Sequence, residues 1–162
     1  MIKRILFATD LGLYNPYLMN QLTSLALSTQ AKVDLVHVIE PLGVFAESIL
    51  SIYMGKEDRR HLKDAGIPQV VEHIRRQVID SLQVDFDQCS QALDVGEVIV
   101  EIGQPADIIV KQARLRNSDV IVMGSHGSHG HQDCLLGSVA SKTLRMAPIP
   151  VYILPTACLT RG

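Results

Sequence analysis

The chain has 162 residues, of which 47% are apolar and 20% charged, and its formal net charge is -2. That length suits one domain with its own core, and the composition excludes a disordered chain and lacks the basic excess of a phosphate-backbone binder. No apolar run approaches the ~18 residues of a membrane span, and three cysteines (Cys89, Cys134, Cys158) without CxxC spacing argue against a disulfide framework and a structural zinc site; the expected location is the cytoplasm.

Residues 2–8 (IKRILFA) read as a buried strand. Lys3 and Arg4 precede an apolar stretch that is too short for a secretory leader and ends at Asp10. Asn15-Pro16 is a helix start, with Asn as N-cap and Pro at the first helical position. Leu18, Leu22, Leu25 and Ala26 then recur at helical spacing. Residues 33–39 (VDLVHVI) form the second expected strand. Gly55, Gly66 and Pro68 break the pattern over 42–66, and 70–82 reads as a helix with Val71, Ile74, Val78 and Leu82 on one side. A third strand is expected at 95–101 (VGEVIVE), followed by a helix start at Gly103-Gln104-Pro105 with Ala106, Ile109, Val110 and Ala113 on one face and Asp107 in the first turn. The fourth strand is 119–123 (DVIVM). A last helix starts at Gly137-Ser138 and leads through Val139, Leu144 and Met146 to a stop at Pro148, and the fifth strand is 150–154, from Pro150 to Leu154.

Near-continuous apolar strands suggest a sheet covered on both faces, and strand alternating with helix implies parallel βαβ crossovers. The expected fold is therefore α/β: a single domain over residues 1–162 with a doubly wound, Rossmann-like, five-stranded parallel sheet. Ligands of such sheets lie beyond the carboxyl ends of the strands, where the strand order reverses. That places the candidate site at the loops 9–13, 37–40 and 124–136, before any motif is considered.

The last of these loops, GSHGSHGHQDCLLGS from Gly124 to Ser138, follows a strand and opens a helix. Its glycines allow close approach of a phosphate, successive backbone N–H groups form an anion nest, and the helix start at Gly137-Ser138 adds unpaired donors and a positive dipole end. It is neither a Walker A loop nor a GxGxxG fingerprint. From composition alone, a solvent loop of turn formers explains it equally well.

Gly124 and Gly127 with two residues between them, then nine residues, then Gly137-Ser138, together with KRILFATD, LVHVIEP and GSVASKTLRMAPIPVYIL, resemble the ATP-binding members of the universal stress protein family. The resemblance spans nearly the whole chain and is weakest over 42–94. It implies an adenine nucleotide alpha hydrolase-like fold that binds ATP, or alternatively ADP or AMP, with Mg2+ as a candidate companion. It implies Ala8, Thr9 and Asp10 at the nucleoside end, with the Val38 backbone at the adenine edge. Met123, Gly124, His126 and Gly127 would line the ribose and phosphates, and Gly137, Ser138 and Val139 would form the phosphate-binding helix start. It also implies a homodimer through the strand 150–154, whose apolar edge is otherwise a liability unless the tail 156–162 covers it.

The chain departs from the family pattern at Leu11-Gly12-Leu13, at Ser128 in place of a basic residue, and at Asp133, whose charge opposes a phosphate unless it faces solvent or a cation. His126, His129 and His131 read as polar loop histidines rather than metal ligands, and His37 as a satisfied structural histidine. No catalytic set is evident: GxSxG and HExxH are absent. The expected function is a nucleotide-binding signalling module. A structural dimer without nucleotide and a slow ATPase are the alternatives.

Overall fold

A computed structural model describes residues 1–11, 15–41, 93–126 and 136–156, together with Glu57 and the helical residues 72–73, 76–77 and 79–80. The elements in chain order are β1 (Arg4–Ala8), α1 (Asn15–Thr29), β2 (Lys32–Ile39), β3 (Val95–Ile102), α2 (Pro105–Leu115), β4 (Val120–Gly124), α3 (Ser138–Met146) and β5 (Val151–Leu154). All five strands are parallel, in the order β3-β2-β1-β4-β5. The chain winds outward from β1 through β2 to β3, then crosses back to place β4 on the other side of β1. The switch point is thus between β1 and β4, as the doubly wound expectation requires.

The pleat sorts the strand side chains into two cores. Ile5, Phe7, Val33, Leu35, Val120 and Val122 face α1, which contributes Leu18, Met19, Leu22 and Ala26. Leu6, Ala8, Val36, Ile121 and Met123 face α2 and α3, which contribute Ile108, Ile109, Ala113 and Ala140. Leu25 packs at the margin of the first core. In α3, however, the buried positions are Ala140 and Thr143, whereas Leu144 and Met146 are exposed. The helix is short and buries only a narrow stripe, so the apolar residues beyond it are left outside. Strand bounds differ from expectation by one or two residues: β1 begins at Arg4, because the Lys3 and Arg4 N–H groups donate to the Asp119 carboxylate. The expected helix face at Val71, Ile74, Val78 and Leu82, and the segment 42–66 apart from Glu57, lie outside the described residues.

Among the described residues, one charge is fully buried. Asp34, near the amino end of β2, receives Arg4 Nε at 2.7 Å and the Glu97 N–H at 2.8 Å, with Arg116 Nη1 at 4.0 Å. Arg116 in turn reaches Glu97 at 2.6 Å and Gln112 at 3.3 Å. Burial pushes the Asp34 carboxyl up, but the bonds from Arg4 and Glu97 and the charges of Arg4 and Arg116 outweigh it and hold it below the ordinary carboxylate value. A group depressed in the folded state stabilises the fold above its unfolded pKa and loses that contribution as pH falls through the folded value. Asp34→Asn, which keeps the shape and removes the charge, is expected to lower stability by about 2 kcal/mol. In urea titrations the gap should stay constant from about pH 5 to about pH 8 and shrink below about pH 4. A gap that persists undiminished into strong acid would contradict the assignment.

Candidate functional site

A cleft of about 560 Å³ opens at the carboxyl ends of β1, β2 and β4 and is closed from the side by the first turns of α2 and α3. That volume is in the range of small-molecule sites. Each wall follows from a local feature of the chain.

The β1 wall is a tight turn. Thr9 N–H donates to Val36 O at 3.1 Å, and Thr9 Oγ1 accepts the Leu11 N–H at 3.1 Å. Leu11 takes a left-handed φ of 60°, which costs a residue with a side chain about 1–2 kcal/mol. The Thr9 hydroxyl and the burial of Leu11 against the α1-side core offset that cost. The turn leaves Asp10 exposed at the lip of the cleft.

The β2 wall exists because β2 outruns β1. The last β1 pair is Ala8 with Val36, whereas β2 continues against β3 through His37, Val38 and Ile39. Beyond Val36 the edge of β2 that faces the switch point is therefore not covered by β1. His37 Nδ1 lies 2.9 Å from Thr9 O. A carbonyl only accepts, so this nitrogen carries the proton, and the ring braces the turn that presents Asp10. The structural role expected of His37 is met, but the residue also lines the cleft. Gly103 N–H donates to Ile39 O at 3.0 Å, and at φ 150° Gly103 leaves room for Ile108, whose Cδ1 would lie 2.9 Å from a Cβ there. This close turn brings Pro105 and Ile109 of α2 to the cleft.

The β4 wall is Met123, Gly124, Ser125 and His126. A Cβ on Gly124 would meet Thr156 Cγ2 at 3.2 Å and both His126 O and Leu18 Cδ1 at 3.3 Å, so the position has no spare volume. Ser125 N–H donates to Leu154 O at 2.7 Å, and Ser125 O accepts the Gly137 N–H at 2.8 Å. The strand end is thereby tied directly to the start of α3. Gly137 is the N-cap of α3 with extended backbone and no side-chain cap, and Ser138, Val139 and Ala140 line the cleft. Their backbone donors have no intrahelical acceptor, and the helix dipole places partial positive charge there. An ion pair of Lys142 with Asp107 at 2.9 Å holds α3 against the first turn of α2.

Ten of the expected site residues line this one cleft: Ala8, Thr9, Asp10, Val38, Met123, Gly124, His126, Gly137, Ser138 and Val139. Gly127 lies outside the described residues, as do Ser128, His129, His131, Asp133 and Cys134. The sequence reading missed Ser125, although it stands inside the motif, and Ile109 and Pro105, whose approach depends on the Gly103 turn. Among the described lining residues there is no Lys or Arg, so an anion would be held by backbone donors and histidine. Among the described residues, no group of three or more His, Cys, Asp or Glu side chains is placed to hold a metal ion, and no helix is long and apolar enough to cross a membrane.

The universal stress protein family model matches residues 1–155. The chain belongs to the universal stress protein family. It is 27% identical over 161 residues to universal stress protein MJ0577 of Methanocaldococcus jannaschii, covering 94% of each chain. It is 29% identical over 151 residues to universal stress protein A homolog 1 of Coxiella burnetii, covering 92% of this chain and 93% of that one. The solved structure of MJ0577 superimposes with a TM-score of 0.70 at 24% identity, with 96% of each chain covered. A universal stress protein solved in complex with cAMP superimposes with a TM-score of 0.57 at 20% identity, over 96% of this chain and 98% of that one. These likenesses establish the Rossmann-like α/β fold of this universal stress protein.

Proposed function

We propose that this universal stress protein is a cytoplasmic module that binds an adenine nucleotide, with ATP as the ligand, and that signals its occupancy to a partner. The observation that carries the reading is the convergence, in one cleft at the switch point, of the uncapped α3 start, the Gly124 strand end and the Asp10 turn. Asp10 supplies a carboxylate for ribose hydroxyls. The uncovered edge of β2 at Val38 offers backbone groups to the adenine edge. The amides at Ser138 and Val139, beside Gly137 and the glycine positions 124 and 127 of the sequence, take the phosphates, with Mg2+ as the accompanying cation. A relative solved with cAMP supports an adenine nucleotide as the ligand class. ADP and AMP share the base and ribose contacts and compete for the same cleft.

The same module is proposed to act as a homodimer. β5 is an edge of the sheet, and Tyr152 on it is half exposed. An antiparallel twofold pairing of β5 with a second copy satisfies that edge.

Denaturing the purified protein and identifying released nucleotide by chromatography tests the ligand. Wild type is expected to release an adenine nucleotide, and a Gly127→Val, Gly137→Val double variant none. An empty wild type that also fails to bind added Mg-ATP would rule out the nucleotide reading and leave the structural dimer.

A further inference from the structure

Behind the cleft wall, Ser125, His126 and Thr156 form a small hydrogen-bonded set joining the loop after β4 to the segment after β5. Ser125 and Thr156 are 5% and 1% exposed, and Thr156 does not line the cleft. Thr156 N–H donates to Ser125 Oγ at 2.9 Å, and His126 N–H donates to Thr156 Oγ1 at 3.2 Å. The two hydroxyl oxygens lie 3.0 Å apart, and Ser125 Oγ lies 3.1 Å from His126 Nδ1.

Each hydroxyl has one proton, and the two backbone donors fix the direction of two of these bonds. Two proton orders remain. In the first, Thr156 gives its proton to Ser125 Oγ. Both Ser125 lone pairs are then filled by Thr156, and the Ser125 proton goes to His126 Nδ1. In the second, His126 Nδ1–H donates to Ser125, Ser125 donates to Thr156, and the Thr156 proton is left with His126 O at 3.5 Å. That distance is at the outer limit of a hydrogen bond. The first order uses only the four shorter contacts and is the better satisfied network.

We propose that Thr156, acting through Ser125, holds His126 as the Nε2–H tautomer, so that the loop after β4 presents a neutral hydrogen-bond donor to a phosphate or ribose oxygen in the cleft. The ligand half of this proposal rests on the nucleotide reading. Thr156 and Ser125 are positioning residues, and His126 is the group that meets the ligand. The chemistry suits a cleft whose described lining residues include no Lys or Arg, because a donor fixed by its tautomer recognises an oxygen without a positive charge.

Long-range 1H–15N spectra of the histidine side chains read the tautomer in the full-length, ligand-free protein, with His126 assigned by the signal lost in His126→Gln. Wild type is expected to show a protonated Nε2 and a bare Nδ1 at His126. Thr156→Val frees a lone pair on Ser125 and should give a mixture of tautomers, while Thr156→Ser keeps the wild-type signal. An Nδ1–H signal in wild type overturns the proposal without recourse to any variant, and so does a Thr156→Val spectrum identical to wild type. Added Mg-ATP should then move the His126 Nε2–H resonance, and Thr156→Val should bind it about fivefold more weakly, with Thr156→Ser near wild type. Mg-ATP binding that leaves the His126 resonance in place overturns the donor role but not the nucleotide reading. No Mg-ATP binding at all refutes the nucleotide reading and the ligand half with it, while the ligand-free spectrum still decides the tautomer.

Discussion

Gly96→Ala is expected to melt about 6–12 °C below wild type, from a loss of about 3 kcal/mol. A Cβ at this position would lie 2.0 Å from Asp34 Oδ1, 3.0 Å from Lys32 Cε and 3.1 Å from Asp34 Cγ. The pairing of β2 with β3 explains the crowding. Val33 faces Val95 and Leu35 faces Val98, so β3 spends one more residue than β2 over this stretch. The bulge turns the Glu97 N–H onto the Asp34 carboxylate. A methyl group on residue 96 either displaces the carboxylate from Arg4 and Glu97 or straightens the bulge, and both leave a buried charge poorly paired. Combining Gly96→Ala with Asp34→Ser shortens the obstructing side chain and should recover part of the loss. If Gly96→Ala melts within about 2 °C of wild type, the close packing of Asp34 on β3 is not as described.

Gly124→Val is expected to weaken Mg-ATP binding by about 100-fold while lowering stability by about 1–3 kcal/mol. Gly124 ends β4, lines the cleft and is boxed in by Thr156, the His126 carbonyl and Leu18. Two of those neighbours are side chains that can move by a few tenths of an ångström. The His126 carbonyl moves only with the loop it belongs to. A branched side chain therefore displaces Ser125 and His126 and, through the Ser125 carbonyl, the Gly137 amide at the start of α3. Gly124→Ala should show the same effects at smaller size. Calorimetric titration of both variants checks this, and wild-type affinity in a folded Gly124→Val protein would remove the end of β4 from the site.

The parts of this molecule that sequence alone makes legible are those governed by short-range pattern. The apolar runs located all five strands, the Gly-Gln-Pro and Gly-Ser starts located α2 and α3, and chain order with a doubly wound topology located the cleft. What stayed hidden depends on residues far apart in the chain. Asp34 sits inside VDLVHVI, where it looks like one polar interruption of a strand. Its burial is explained only by Arg4, 30 residues away, and by the Glu97 amide, 63 residues away. Thr156 stands just after the last strand with nothing in the sequence to mark it, because its partner Ser125 is 31 residues earlier. The exposure of Leu144 and Met146 is likewise not readable from their apolar identity, because the angular position on a short helix decides it. The role of His37 was half visible. Its hydrogen bond was expected, whereas its place on the cleft wall follows from β2 extending past β1.

The two ends of the sheet treat strand-end amides in opposite ways. At the amino end the protein supplies its own anions: Asp119 takes the amides of Lys3 and Arg4, and Asp34 takes that of Glu97. At the carboxyl end, the first amides of α3 have no side-chain cap and face a cleft. One end is thus neutralised from within, and the other carries the donors that the proposed nucleotide would use. Anchoring and recognition are therefore separable properties of this chain. On the proposed reading, loops at the carboxyl end could be exchanged to alter the ligand while the carboxylate-pinned end keeps the strands in register.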